Sequence, residues 1–462
     1  MTYRLRWVVA AVVLAANVMD LLDATIVNVA APSIHRDLGG GASTIQWLSA
    51  GYTLAFAVLL IAGARLGDIL GRRRLFLAGS AGFSLFSAAC AAAPTIGVLI
   101  AFRALQGASG ALMIPQGFGL MKQVFTDAAE MGKAFGLFGP ATGVPMLVAP
   151  IVAGALIDAN LWGTGWRMVF LINVPIGLMA LALAIRSLPR GATHPGVKLD
   201  FGGVGLVGLA LVAIIYPLIQ GRTDGWPVWS FALLAAGVTL FVIFLLHERR
   251  SHNPLIEPML LTNRTYLSGI AVVLALFGAF GGLLLCVSLF GQLGEGWSPI
   301  HAALTLTPMV VGLILGMVGS AAVVKRLGRH LIHIGILLIA AGAVGVALIL
   351  TGARSASSWD LVPGLFFVGA GVGASIGQLF QFILTSVTMD EVGSASGVLE
   401  AAQQLSTALG VAVLGTIFFA TFDHHLATDA LRITAWASLL PLAAAFAIVF
   451  RLPMHPREEP VR

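Results

Sequence analysis

The sequence predicts an all-α integral membrane protein with fourteen transmembrane helices. Three observations carry that prediction. The chain has 462 residues, 58% of them hydrophobic and only 10% charged, and its mean hydropathy is +0.96. A soluble domain carries about 25% charged residues, so too few polar side chains remain here to coat a water-facing surface. The apolar runs recur from end to end and are continuous. A helix crosses the hydrocarbon core in about 20 apolar residues, whereas a barrel strand alternates between its two faces. Finally, the basic residues sort to alternate ends of those runs. The 55 glycines suit closely packed membrane helices.

Fourteen spans are expected, over 7–31, 46–64, 75–94, 96–118, 134–157, 168–186, 201–220, 228–247, 267–290, 302–324, 331–351, 361–384, 396–421 and 433–451. An even count puts both termini on one side, and the positive-inside rule makes that side cytoplasmic. Twenty Lys and Arg then fall in inner segments, among them Arg72, Arg73, Arg74, Lys325 and Arg329. Five fall in outer segments, Arg36, Arg167, Arg222, Arg354 and Arg432, and Arg103 alone lies inside a span. A basic turn opening a helix occurs twice, as LGRRRLFLAG (70–79) and LGRHLIHIG (327–335). With spans seven and eight as an insertion, the second turn mirrors the first. The expected organisation is a six-helix bundle over 1–190, an insertion over 191–262 and a second bundle over 263–462. Parallel halves of this kind place a substrate site between them near the bilayer midplane. An echo this short also arises by chance or from simple topology.

Several classes are disfavoured. The net charge of +6 is spread among loops, which does not suggest nucleic acid. Cys90 and Cys286 both lie in apolar runs, where two thiols read as small packing residues and not as a disulfide framework. No cleavable signal is expected, since the first apolar run is long and contains acids. There is no HExxH, no glycine-rich phosphate loop and no convincing His/Cys metal set, so no enzyme, cofactor or metal is expected. His424 and His425 beside Asp423 read as solvated loop residues.

A few polar residues stand out because hydrocarbon makes them costly. In VMDLLDATIVNVAAP (18–32), Asp20 and Asp23 lie one helical turn apart. LIAFRALQGASG (99–110) puts Arg103 about 10 Å inside the fourth span. Two readings of it are open, snorkelling to the outer surface or pairing in a wet cavity. Gln106, Gly107 and Gly110 share its face, and the glycines allow a neighbouring helix close. In ARLGDILGRRR (64–74), Gly71 makes a turn and Asp68 caps or pairs with the cluster containing Arg72 and Arg73; a plain positive-inside loop with a helix cap is the bland alternative. In AFGLFGPATGVPMLVAPIVAG (134–154), Pro140, Pro145 and Pro150 are spaced by five, with Gly136, Gly139, Gly143 and Gly154 among them. That pattern suits a hinge, a packed seam or a kinked structural helix. In GVLEAAQQLSTALG (397–410), Glu400, Gln403, Gln404 and Thr407 form one polar face, although an interfacial role competes for Glu400. With Asn28, Tyr52, Gln106, Gln116 and Gln378, the residues Glu400, Gln403 and Gln404 are the candidate lining of a substrate cavity.

These stretches together resemble the major facilitator superfamily, specifically its fourteen-span drug:proton antiporter group. LDATIVNVAAP (22–32), QWLSAGYTLAFA (46–57), the 64–74 loop, LIAFRALQG (99–107), the proline-rich fifth span, WRMVFLINVPIG (166–177) and ALGVAVLGTIF (408–418) follow the family's segments in order over nearly the whole chain. The chain departs from the pattern at Ala64, Ile69, Ala149 and Ala153, and the pattern does not require the acids Asp20 and Glu400. The resemblance implies proton-driven alternating access between two six-helix bundles. It implies that Asp23 recognises substrate or proton and that Arg103 takes part in proton coupling. It assigns Asp68 and Arg72 to a loop that locks one conformation, and Pro150 to the antiporter motif. It also implies multidrug efflux and antibiotic resistance at a bacterial inner (plasma) membrane.

The expected mechanism makes Asp20 and Asp23 a protonation site under the control of Arg103. Burial and mutual repulsion favour protonated carboxyls, a nearby guanidinium favours ionised ones, and two interacting acids titrate as a pair. Acids in a cavity favour lipophilic cations, read alongside aromatics such as Tyr52, Phe56 and Phe380. The expected partners are small-molecule substrates, protons and the lipid bilayer, with the chain working as a monomer. A proton-linked importer or exporter of one specific metabolite would share the fold, and a passive channel is a third reading.

Overall fold

A computed structural model describes residues 3–125, 127, 130–131, 133–134, 137–189, 199–251, 253–388 and 392–455. Gly136 and the expected boundary at residues 190–191 lie outside them. The main helices are α1 (Tyr3–Leu38), α2 (Ala42–Leu70), α3 (Arg72–Ala91), α4 (Ile96–Val124), α5 (Phe138–Ala159), α6 (Met168–Leu171), α7 (Asn173–Ser187), α8 (Phe201–Gln220) and α9 (Val228–Glu248). They continue with α10 (Arg264–Leu289), α11 (Pro299–Thr305), α12 (Thr307–Leu327), α13 (His330–Ile349), α14 (Ser358–Leu384), α15 (Val392–Phe422) and α16 (Ala427–Val449). There is no strand among the described residues. Among the described residues, thirteen helical stretches are long and apolar enough to cross a membrane, and Val148–Ala159 within α5 is a shorter apolar one. Each of the fourteen expected spans therefore has its helix, and the chain is a multi-pass membrane protein.

Local chemistry explains where the helices start and break. The Thr95 hydroxyl accepts from the Val98 N–H at 3.4 Å at the start of α4, and Asn263 accepts from the Tyr266 N–H at 3.1 Å at the start of α10. Ser357 and Asp360 form a capping box that opens α14. Gly71 joins α2 to α3 at φ +94°, a backbone setting that a side chain disfavours. Two expected spans are not single helices. The sixth breaks at Ile172, between α6 and α7. Pro175 has no N–H to give the Leu171 carbonyl, and its ring crowds that oxygen. The tenth breaks at Leu306, between α11 and α12, where Pro308 stands in the same relation to Leu304.

The helices fall into two compact units, Met1–Ala213 with Ala236–Leu255, and Ile214–Ala235 with Ile256–Arg462. In the first, α1 packs on α4, α5 and α7, α2 on α4, and α3 on α4 and α7. The α2–α4 seam is tight: a Cβ on Gly107 would sit 2.3 Å from the Tyr52 carbonyl oxygen. The same unit holds a clasp between the start of α8 and the end of α9. Asp200 accepts from the Gly203 N–H at 2.9 Å and from the Ser251 hydroxyl at 3.0 Å, and lies 2.7 Å from His247 Nε2. Burial opposes ionisation of Asp200, but these partners outweigh it and hold its carboxyl below the usual range. In the second unit α14 packs on α12 and α13, and α10 on α15 and α16.

Candidate functional site

The first unit buries a polar cluster on five helices. α1 supplies Asp20 and Asp23, α2 Tyr52, α3 Ser87 and Cys90, α4 Arg103 and Gln106, and α7 Asn173, all buried. The break at Ile172 lies next to Asn173 and starts α7 beside α1 and α3.

Arg103 and Asp23 form an ion pair with both side chains 1% exposed. The same guanidinium donates to Gln106 Oε1 at 2.9 Å through Nη1 and to the Leu48 carbonyl at 3.2 Å through Nε. It lies 4.3 Å from the centre of the Tyr52 ring and 5.7 Å from that of Phe170. Snorkelling is therefore excluded for Arg103; its charge is met inside the protein. On Asp23, Oδ2 takes the Arg103 bond, while Oδ1 accepts from Gln106 Nε2 and Asn173 Nδ2, each at 2.9 Å. Asn173 Nδ2 also reaches Ser87 Oγ at 3.3 Å, and Ser87 donates to the Phe170 carbonyl at 2.9 Å. The Tyr52 hydroxyl donates to Asp20 Oδ1.

The cluster thus sets two carboxylates beside one guanidinium, and the two have different partners. Asp23 is held by three donors, including the only cation in the cluster. Asp20 is held by a neutral phenol. Withdrawing a charge from water costs several kcal/mol per ion, which attraction and hydrogen bonds must offset. Such an arrangement can take up or release a proton when access to solvent or the local charge changes.

The sequence-predicted residues are only partly brought together. Asp20, Asp23, Tyr52, Arg103 and Gln106 meet, and Asn28 is buried on the same helix as the acids. Gln116 instead faces the α2–α4 seam, donating to the Gly63 carbonyl at 2.8 Å. Gln378 is buried in α14 three residues beyond Ser375, on the face turned to α13. Glu400, Gln403 and Gln404 are half-buried on α15. At the other motif, Arg72 pairs with Asp68 at 3.0 Å, and Arg73 donates to the Ile185 carbonyl at 2.6 Å. Pro145 and Pro150 are buried within α5, which runs unbroken through both. The sequence assigned no role to Asn173 or Ser87 and read Cys90 as a small packing residue. Asn173 carried a signal, as the lone amide in the apolar stretch WRMVFLINVPIG; Ser87 and Cys90 carried none.

Comparison with known proteins identifies the family. The chain is 48% identical over 424 residues to a protein named as a probable actinorhodin transporter from Streptomyces coelicolor, covering 90% of this chain and 73% of that one. It is 35% identical over 416 residues to the puromycin resistance protein pur8 of Streptomyces alboniger, covering 89% and 82%. It is 33% identical over 418 residues to the tetracenomycin C resistance and export protein of Streptomyces glaucescens, covering 89% and 76%. Among solved structures, the xylose transporter XylE from E. coli in a partially occluded inward-open conformation has a TM-score of 0.61 at 15% identity, covering 95% of this chain and 96% of that one. A bacterial homologue of the lysosomal transporter Spinster gives 0.67 at 16% identity, covering 97% of each. At such identities the likeness concerns the fold alone. Residues 13–411 match the model of one family, and with relatives this similar over this much of their length, the chain belongs to the Major Facilitator Superfamily and is a membrane transporter of small molecules.

Proposed function

We propose that the chain is a proton-coupled exporter of amphiphilic cationic drugs, dyes or antibiotics, working by alternating access. The observation that carries this reading is the buried cluster of two carboxylates, Asp20 and Asp23, with the single guanidinium of Arg103. A proton and a cationic substrate compete for carboxylates in such a site, because either one neutralises them. The names of the relatives, an actinorhodin transporter and two antibiotic resistance proteins, support export over uptake. The reading includes a bacterial plasma membrane, both termini in the cytoplasm and a working monomer. It takes 1–190 and 263–462 as the two moving bundles and 191–262 as an insertion. Asp68 with Arg72 serves as the conformational lock, and Gln403 and Gln404 take part in holding the substrate.

The test is transport by purified protein in vesicles, with a panel of cationic and neutral compounds and a record of internal pH. Wild-type protein moves cations against protons, and Asp23→Asn loses proton-driven efflux. Full coupling in that variant overturns the reading. Uptake driven by a pH gradient, with one metabolite preferred, favours the alternative of a dedicated proton-linked importer.

A further inference from the structure

We propose that Asn173 is a positioning residue whose side-chain amide turns over when Asp23 gains or loses its proton, and so lets one buried site accommodate both states. The inference rests on the reading of Asp23 as a proton carrier.

The groups that meet the Asp23 carboxylate are donors: Arg103 at Oδ2, and Gln106 Nε2 and Asn173 Nδ2 at Oδ1. That shell suits an ionised carboxylate. When a proton from solvent adds to Oδ1, the new O–H bond is itself a donor and needs an acceptor. Arg103 has none to offer. Gln106 has one, its Oε1, but that atom already accepts from Arg103 Nη1 at 2.9 Å, and turning the amide would break the bond. Asn173 differs. Its Oδ1 is buried and has no hydrogen-bond partner among the described residues. A half-turn of its amide brings Oδ1 to the protonated carboxyl and carries Nδ2 to the place Oδ1 leaves. Either orientation leaves one amide atom unmet on that side, so the proton on Asp23 decides between them. Ser87, now donating to the Phe170 carbonyl, is close enough to follow the turn. The other titratable groups around Asp23 are Asp20 on the same helix, Tyr52 on α2, Cys90 on α3 and Arg103 on α4. None of these supplies Asp23 with a free neutral acceptor at Oδ1.

Infrared difference spectra of the purified transporter between high and low pH test this. Asp23→Asn identifies the carboxyl band of Asp23; if no band is lost in it, the proton-carrier reading fails, and that outcome is distinct from failure of the present proposal. In Asn173→Ala the Asp23 carboxyl band moves to higher wavenumber, as a carboxyl without an acceptor does. A band unchanged in position overturns the role of Asn173. If Asn173→Ala does not fold, wild-type protein with isotope-labelled asparagine carries the test. A side-chain carbonyl band of asparagine then shifts with Asp23 protonation, and no shift overturns the proposal.

Discussion

The two units build the same kind of helix seam and bury opposite chemistry in it. In the first, Gly107 of α4 lies against the Tyr52 carbonyl of α2. In the second, Gly369 of α14 lies against the Met309 carbonyl of α12, where a Cβ would approach to 1.7 Å. Around Gly107 stand Arg103, four residues before it, and Gln106, one before it. Around Gly369 the same offsets hold Leu365 and Val368, both buried. Where the first seam has Tyr52, the second has Met309. Helix α1 brings two aspartates to its cluster, while α10 has no acid along Arg264–Leu289. The glycine seam is therefore scaffold, and it stands without any charge. The polar cluster is an addition that the second seam does without, as its proposed role in proton coupling requires.

The most severe way to break this contrast is to remove the cation and leave the acids. Arg103→Met strands a buried carboxylate, and the loss of stability is expected at about 3–5 kcal/mol near neutral pH. The loss shrinks on acidification, because a proton then removes the uncompensated charge. Thermal unfolding of detergent-purified protein across pH measures it. Next in size is Gly107→Ala set against Gly369→Ala. Each forces a methyl group into a carbonyl, at about 1–3 kcal/mol by the usual cost of overpacking. The two should unfold at similarly lowered temperatures, while only Gly107→Ala shifts the pH dependence of transport, since only that seam carries the cluster. Smaller again is the double change Asp23→Asn with Arg103→Met, which makes the first seam resemble the second. Replacing a buried pair together is often nearly neutral for stability. Its unfolding temperature is expected near that of the wild type, with proton coupling gone. The smallest effect belongs to Asp68 and Arg72, about one third exposed. A double-mutant cycle there should give about 0.2–1 kcal/mol, reduced by salt.

Much of this was legible in the sequence, and the reasons differ by feature. Span count, basic-residue asymmetry and Asp23 with Arg103 were legible because hydrocarbon penalises polar groups, so those that remain are conspicuous. The two interrupted helices were not foreseen, although Pro175 and Pro308 were in plain view; hydropathy is blind to a missing backbone donor. Gln116 and Gln378 look like cavity residues by type. Their direction depends on which face of the helix meets a neighbour, and α4 and α14 are packed on more than one side. Asn173 was conspicuous in composition but silent in role, because its partner Asp23 lies 150 positions away.

Whether the cluster couples protons to substrate is decided by following both at once. Vesicles containing the protein, with no imposed pH gradient, receive a fluorescent lipophilic cation on one side, and internal pH and dye are followed together. Proton coupling through this cluster predicts that dye entering through the wild-type protein drives protons the other way, and that Asp23→Asn with Arg103→Met, though folded, moves no protons. Dye flux in the wild type with no proton movement, or proton movement undiminished in the folded double variant, would contradict it.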